Sequence, residues 1–409
     1  MSDPKIDSER LMQRMEEMAD IGGLPGGGVE RLTLSDEDRQ ARDLLKKWMS
    51  DLELQITIDE VGNMFGILNP DNSSEAPVFL GSHLDTVGKG GKYDGSLGVI
   101  AGLEVIQSIK ESGISVSKPI GVINFTNEEG VRFTPDMMGS LVLMGGISVE
   151  EVWKVRSVDG KFVLGDELRK IGYHGSGKVK DFSASAYLEL HIEQGPVLEI
   201  ENVNIAAVEM VQGISWTEFI LYGEANHAGT TPMYLRKDAG FVAATIIQYA
   251  RQLTREIAGL VANAGLIEAE PNLINVVPAK VRFTLDIRNR DNVNLKLAEE
   301  SLKAFAQKVA ADENVKMEMK SLVRFEPVNF DSNLIDLVEN SAKDLGYSVK
   351  RMPSGAGHDA QMMAAICPTT MIFIPSKNGI SHSIYEYSSL EDIERGANVL
   401  LKTALKLIE

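Results

Sequence analysis

Apolar runs of strand length recur along this 409-residue chain, and phrases rich in histidine, acid and glycine follow them. Phe65-Gly-Ile-Leu, Val78-Phe-Leu-Gly, Ile120-Gly-Val-Ile-Asn-Phe, Ala186-Tyr-Leu-Glu-Leu and Thr370-Met-Ile-Phe-Ile are the runs, and an apolar helix beginning at Leu97 lies among them. Strands separated by helices predict an α/β fold, a doubly wound sheet with helices on both faces. In such sheets ligands bind beyond the carboxyl ends of the strands. The polar phrases fall at those ends. His83 and Asp85 follow the strand at 78–81, and Glu128 and Glu129 follow the strand at 120–125. His191 ends the strand at 186–190, and His382 follows the strand at 370–374 after a short loop. Four strand ends therefore aim candidate ligands at one edge, a pattern that scattered polar residues would not produce.

From about 213 to 325 the pattern changes. Trp216-Thr-Glu-Phe-Ile-Leu-Tyr alternates as a half-exposed strand, and a helix runs from about Asp238 to Arg251. Strand-like runs follow near Gly265–Glu268 and Lys280–Ile287, then a helix over Leu295–Ala310 and an alternating run at Lys316–Leu322. This β-α-β-β-α-β order is ferredoxin-like. It predicts an α+β domain of residues 213–325 inserted into a catalytic domain of residues 1–212 and 326–409. A chain of this length exceeds what one core usually serves. Residues 6–20 predict an amphipathic helix, and Ser35 with Asp38 predicts a capping box. The Gly-rich stretch from Gly22 to Gly28 lacks the Lys-Ser/Thr of a phosphate-binding loop, so it reads as a flexible loop at the mouth of the site.

Charge and cysteine content narrow the function. The 59 acidic residues against 41 basic give a net charge of −18, which argues against nucleic acid and against an anionic membrane surface. No apolar run reaches membrane-spanning length, and the stretch Met1–Arg10 lacks the apolar core of a leader. Cys367 is the only cysteine, which excludes an internal disulfide and a thiolate metal cluster and fits a reducing compartment. A cytoplasmic enzyme is the expectation.

Five of the six histidines lie in the polar phrases, and His174 belongs to none. An N/O donor set without sulfur suits zinc, manganese or cobalt. His83 and Asp85 have the spacing of a ligand and a carboxylate that orients its other ring nitrogen, although a single such pair is commonly a surface feature. Asp94, in the turn Gly90-Gly-Lys-Tyr-Asp-Gly95, reads either as a helix cap or as a carboxylate bridging two metals. Adjacent Glu128 and Glu129 after a buried strand are costly unless a cation compensates. One can ligate while the other takes a proton from water. His191 and His382 taken singly are ordinary hydrogen-bonded histidines, and their joint placement carries the argument. His227 reads as a loop histidine or an oxyanion donor. Asn275 and Arg288 are candidates to hold a carboxylate, with a simple salt bridge the commoner role for Arg288. His358, in Ser354-Gly-Ala-Gly-His-Asp359, marks a plain turn or a loop whose amides bind an anion.

Together the phrases resemble the hydantoinase/carbamoylase branch of the M20 metallopeptidase superfamily over essentially the whole chain. The matching stretches are Gly-Ser-His-Leu-Asp-Thr at 81–86, Gly-Gly-Lys-Tyr-Asp-Gly at 90–95, Asn-Glu-Glu-Gly-Val-Arg-Phe at 127–133 and Glu-Leu-His-Ile-Glu-Gln-Gly-Pro at 189–196. Asn-His-Ala-Gly-Thr-Thr-Pro-Met at 226–233, Asn-Val-Val-Pro at 275–278, Ser-Gly-Ala-Gly-His-Asp-Ala at 354–360 and Asn-Gly-Ile-Ser-His at 378–382 complete the set. The resemblance implies a zinc-peptidase-like catalytic domain with two divalent ions (zinc, manganese, cobalt or nickel). His83 and His191 would serve one ion, Glu129 and His382 the other, and Asp94 both. Glu128 would be the general base, with Asp85 supporting the ligands. Gln194, His227, Asn275, Arg288 and the loop of Gly355, Ala356 and Gly357 would contact substrate. The inserted domain would act as a lid and form a homodimer in which His227 reaches the partner's active site.

The implied activity is cleavage of the ureido C–N bond of N-carbamoyl-L-amino acids to amino acid, ammonia and carbon dioxide. His191 favours this amidase branch, because peptidase members usually carry a carboxylate there. Allantoate amidohydrolysis is the near alternative, suggested by the phrases around His227 and His358, and β-ureidopropionase and peptidase readings come after it. A non-catalytic metal-binding or dimerisation module is disfavoured, because Glu128 stands beside every expected ligand.

Overall fold

The chain is described by a computed structural model over residues 4–69 and 74–408; Met1–Asp3, the start of the stretch without a leader's apolar core, lie outside the described residues. The described strands, in chain order, are β1 (Gln55–Ile58), β2 (Met64–Leu68), β3 (Val78–His83), β4 (Ile120–Phe125), β5 (Ala186–Ile192), β6 (Ile205–Val211) and β7 (Gly213–Tyr222). They continue with β8 (Val261–Asn263), β9 (Ile267–Glu270), β10 (Lys280–Asn289), β11 (Lys316–Phe325), β12 (Val328–Asn329), β13 (Val349–Ser354) and β14 (Thr369–Ile374). The chain divides into two units, one running to Glu209 and resuming at Asn329, the other spanning Met210–Val328.

The first unit is built on a sheet of order β1-β2-β4-β3-β5-β14-β6-β12, with β13 on β6. Its central strands β4, β3, β5 and β14 are parallel. Every residue of these four strands is buried, as expected for a parallel sheet covered on both faces. The helix Ser96–Ser112 packs on β3, β4 and β5, and the helix Leu390–Ile408 packs on β5 and β14. Because the four strands run the same way, their carboxyl ends share one edge.

Two strands outlast their apolar runs. β3 continues to His83, which pairs with Phe125, and β5 continues to Ile192, with His191 opposite Phe373. The histidines thus lie inside the ladder rather than after it. Ladder hydrogen bonding does not require an apolar side chain, so polarity was a poor marker of where these strands stop.

The N-terminal helix, Ser8–Asp20, is capped by Asp7 and buries Leu11, Met15 and Met18. Arg10 and Arg14 reach the fully buried Glu104 at 2.6 and 3.3 Å, so that carboxylate is paired rather than stranded. Ser35 caps the next helix, Asp36–Asp51, by accepting the amide of Asp38. Asp38 itself accepts from Leu34 N at 2.7 Å, one residue earlier than a capping box requires, and it also binds Arg42. The Gly-rich stretch is tied down by the bridges of Val29 to Gly23 and to Gly90.

In the second unit the sheet order is β11-β7-β10-β8, with β9 also on β10. Helices Ala239–Glu256 and Asn292–Asp312 pack on a core of Phe219, Val242, Ile246, Phe283, Leu285, Leu295 and Leu302. This is the ferredoxin-like order with its second strand broken in two. Asn263 pairs with Asp286 and Ile267 with Phe283, four steps on one strand against three on the other, which is a bulge. The expected strand at Gly265–Glu268 straddles that break. Among the described residues, no helix is long and apolar enough to cross a membrane.

Candidate active site

Asp94 organises the edge where β3, β4, β5 and β14 end. His83 Nε2 lies 3.5 Å from Asp94 Oδ1, and His191 Nε2 lies 3.2 Å from the same oxygen. His382 Nε2 lies 3.4 Å from Oδ2. The carboxylate is not a helix cap. That position belongs to Gly95, whose φ of 63° is left-handed. A Cβ at residue 95 would come within 2.4 Å of the His83 ring, so only glycine lets the turn carry Asp94 this close.

The other ring nitrogens fix the tautomers. His83 Nδ1 is 2.8 Å from the carbonyl of Asp85, and His191 Nδ1 is 2.9 Å from the carbonyl of Ile192. A carbonyl can only accept, so both Nδ1 atoms carry hydrogen, and in the neutral rings both Nε2 lone pairs face Asp94. An acceptor facing a carboxylate at these distances requires a cation or a proton between them. The residues fit a metal on this ground, and nitrogen and oxygen donors without thiolate suit zinc, manganese, cobalt or nickel.

The glutamates arrive on a turn after β4. Asn127, with a left-handed φ of 59°, turns the chain, and its side chain holds the carbonyls of Phe133 and Pro135. Asp85 Oδ1 accepts the amide of Glu128 and Oδ2 the amide of Glu129, both at 3.2 Å, and Thr33 donates to it at 2.8 Å. The expected carboxylate–imidazole contact of Asp85 is therefore replaced. Its carbonyl orients His83, while its carboxylate, 3.8 Å from His83 Nδ1, grips the glutamate turn. Glu128 Oε2 stands 3.4 Å from His83 Nε2, and Glu129 Oε2 stands 3.6 Å from His382 Nε2. Glu129 Oε1 is buried with no hydrogen-bond partner.

Donor atoms gather within 4.8 Å of one another in the sets His83–Asp94–His191, Asp94–Glu129–His382 and His83–Glu128–Glu129. Asp94 is common to the first two. Protonation follows the crowding. Burial drives the Glu128 carboxyl well above its usual range against the pull of His83. Burial, then the charge of Asp94, pushes Glu129 up to about 8. Burial opposes the charging of His83, yet the nearby carboxylates of Glu128, Asp94 and Asp85 win and raise it. Burial would likewise raise Asp94, but hydrogen bonds from His191, His382 and His83 hold it well below the carboxylate range.

Around this centre, Gln194 has a left-handed φ of 57° and donates Nε2 to Asp94 Oδ2 at 2.8 Å. Its Oε1 is buried without a partner. Gly357 faces the end of the Met137 side chain, 3.3 Å from where a Cβ would stand. His358 is not part of an open anion-binding turn. It is buried against His191, with ring centroids 4.6 Å apart, and its Nε2 is 3.0 Å from Ser354 Oγ. Burial depresses its pKa well below that of a free imidazole, so it is neutral. Cys367 is a buried thiol pushed up to about 11 by burial, not a nucleophile.

Sequence reasoning passed over two carboxylates. Glu189, inside the fully buried strand β5, accepts from Ser82 Oγ, Tyr187 OH and the amide of Ala360. An acid within an apolar run was the available signal. Glu386 accepts the amides of Tyr93 and Asp94. Nothing in its local sequence marks it.

Within the second unit, His227 Nδ1 accepts the amides of Gly229 and Thr230 at 3.0 and 3.2 Å. Its proton is therefore on Nε2, which is left as a donor. Exposed Asn275 is its neighbour, since the Asn275 carbonyl accepts the amide of Ala228 at 3.0 Å. Arg288 forks Asp286 on the same face of β10, Nη2 to Oδ2 at 2.8 Å.

The profile of peptidase family M20/M25/M40 matches residues 79–406. An N-carbamoyl-L-amino-acid amidohydrolase of Rhizobium meliloti is 40% identical over 407 residues, 99% of this chain and 97% of that one. An allantoate amidohydrolase of Bacillus subtilis is 34% identical over 96% of each chain. The crystal structure of a hydantoinase/carbamoylase family amidase from Burkholderia multivorans superposes with a TM-score of 0.95 at 39% identity, covering 99% of this chain and 98% of that one. The chain belongs to peptidase family M20/M25/M40, a family of metal-dependent hydrolases, and within it to the hydantoinase/carbamoylase branch that acts on C–N bonds.

Proposed function

We propose that this protein hydrolyses the ureido C–N bond of N-carbamoyl-L-amino acids with two divalent ions per chain. The observation that carries the reading is the ring of three imidazole Nε2 atoms turned on Asp94, with Glu128 beside it. His83 and His191 would hold one ion and Glu129 and His382 the other, with Asp94 shared. Bound there, the ions supply Lewis acidity toward water and the ureido carbonyl.

Glu128 takes the proton of the attacking water. The raised pKa of this buried carboxyl suits it to hold that proton and return it to the departing amino-acid nitrogen. The attack forms a C–O bond at the carbamoyl carbon and breaks that carbon's bond to the amino-acid nitrogen. The carbamate left behind separates into ammonia and carbon dioxide. His227, with its proton on Nε2, donates to the oxyanion. The partnerless Gln194 Oε1 accepts a ureido N–H. Asn275 and Arg288 hold the α-carboxylate, with Asp286 orienting the guanidinium. The backbone of Gly357 is a further substrate contact.

The inserted domain, residues 213–325, serves as lid and homodimer interface. Exposed Met233, Tyr234, Leu235, Leu273 and Ile274, neighbours in sequence of His227 and Asn275, support a partner there. The lone cysteine supports a cytoplasmic setting. Allantoate, the substrate in the name of the Bacillus subtilis relative, is the second reading. Assay of N-carbamoyl-L-methionine, allantoate and N-carbamoyl-β-alanine side by side, with added manganese or cobalt, decides between them. The expected result is the highest kcat/KM for the carbamoyl amino acid. Preference for allantoate transfers the assignment, and turnover of none of the three overturns it.

A further inference from the structure

His382 is the most exposed of the candidate ligands, its side chain 53% accessible, and it sits on a loop with a left-handed φ of 51°. Such a residue needs something to hold it in register with the buried Asp94. Glu386, four residues on and only 6% exposed, is placed to do so. Its Oε1 accepts the amides of both Tyr93 and Asp94 at 3.1 Å. Its Oε2 accepts the Ser381 hydroxyl at 2.9 Å, and Ser381 Oγ is also 3.3 Å from Asp94 Oδ2. Gly91 makes the room, because a Cβ there would fall 2.1 Å from Glu386 Oε1. One buried carboxylate therefore joins the turn that presents Asp94 to the loop that presents His382. His83 and His191 lie in strands and need no such link.

We propose that Glu386 is a positioning residue that acts on the Asp94–Glu129–His382 half of the metal centre more than on the His83–His191 half. The assignment rests on the dinuclear reading above. In Glu386→Gln, the amide oxygen can still accept from Tyr93 and Asp94, and the amide nitrogen can donate to Ser381 Oγ. In Glu386→Ala, two buried N–H groups and the Ser381 link are lost together.

The test is calorimetric titration of metal-stripped protein with manganese or zinc, with circular dichroism to check the fold. Wild type should take up two equivalents. Glu386→Ala should bind one equivalent at least tenfold more weakly and the other with a clearly smaller loss, while Glu386→Gln restores most of the loss. Ser381→Ala, which leaves the carboxylate in place, should weaken the same equivalent by a smaller factor, and it serves as the probe if Glu386→Ala does not fold. Two equivalents at wild-type affinity in Glu386→Ala, or in Ser381→Ala where that is the probe, would overturn the assignment. So would equal weakening of both equivalents. Uptake of a single equivalent by wild type would instead overturn the dinuclear reading.

Discussion

Asp85 accepts the backbone amide of Glu128 at 3.2 Å, so the acid two residues from His83 sets the position of the proposed general base rather than the tilt of the imidazole. Asp85→Ala should lower kcat about 10–100-fold, the usual scale for groups that orient a metal site's residues. Metal content should change less than kcat, because the His83 ring is held by a main-chain carbonyl that the substitution leaves in place. Steady-state kinetics with metal analysis check this. Activity within twofold of wild type would remove Asp85 from the site.

Glu128→Gln keeps the shape of the side chain and abolishes its basicity. It should keep its metal and lose at least about a hundredfold in kcat, the lower end of what proton transfer contributes. Metal analysis and kinetics on the same preparation separate the two effects. Wild-type turnover in this variant contradicts the role given to Glu128.

Gly95→Ala tests the close approach that delivers Asp94. The new methyl would need space held by the His83 ring, and the left-handed backbone adds about 1–2 kcal/mol for alanine. Metal affinity should fall at least tenfold, with a lowered thermal midpoint. A titration curve matching wild type would show that the turn has slack that the structure denies it.

Metal affinity should rise with pH. Burial, reinforced by Asp94, lifts Glu129 from 4.5 to about 8 in the metal-free protein. The hydrogen bond to Asp94 comes first in lifting His382 from 6.5 to about 9. Both groups hold protons that the unfolded chain gives up at lower pH. The stability Glu129 lends is therefore present below 4.5 and is lost as pH rises through about 8. For His382 it is present below 6.5 and lost through about 9. Binding a metal expels these protons, so the dissociation constant should tighten at least tenfold between about pH 6.5 and about pH 8.5, while the metal-free protein loses thermal stability over that span. A flat affinity profile would rule this out.

Arg288→Ala should act mainly on KM if the guanidinium holds the substrate carboxylate. Its pairing with Asp286 sharpens the comparison, because Asp286→Ala removes the partner and keeps the charge. The first substitution should raise KM the more. Unchanged kinetics in Arg288→Ala would leave the pair a simple surface bridge.

The ligand-bearing edge was legible because parallel strands buried on both faces are written as continuous apolar runs, and polar residues stand out where those runs stop. Asp94 was harder to read. Its phrase fits a helix cap as well as a ligand, and only the fold distinguishes them by giving the cap to Gly95. Asp85 misled through the short step from His83, since a spacing of two does not tell which of an aspartate's oxygens reaches the ring. Glu386 was invisible because its main-chain partners, Tyr93 and Asp94, lie almost 300 residues earlier in the chain. The broken second strand of the inserted unit was half legible, for a bulge adds a residue without changing the alternation on either side.

The central strand β14 pairs with β5, yet the two are separated by the whole of the inserted unit and more. During synthesis the chain emerges from its amino end. Every ligand candidate up to His191 is therefore made long before the strand that must lie beside β5, and His382 comes later still. A chain cut short between residues 191 and 382 holds most of these acids and imidazoles but not the arrangement that tames their charge. The hydrolase's site cannot close until residue 382 has left the ribosome.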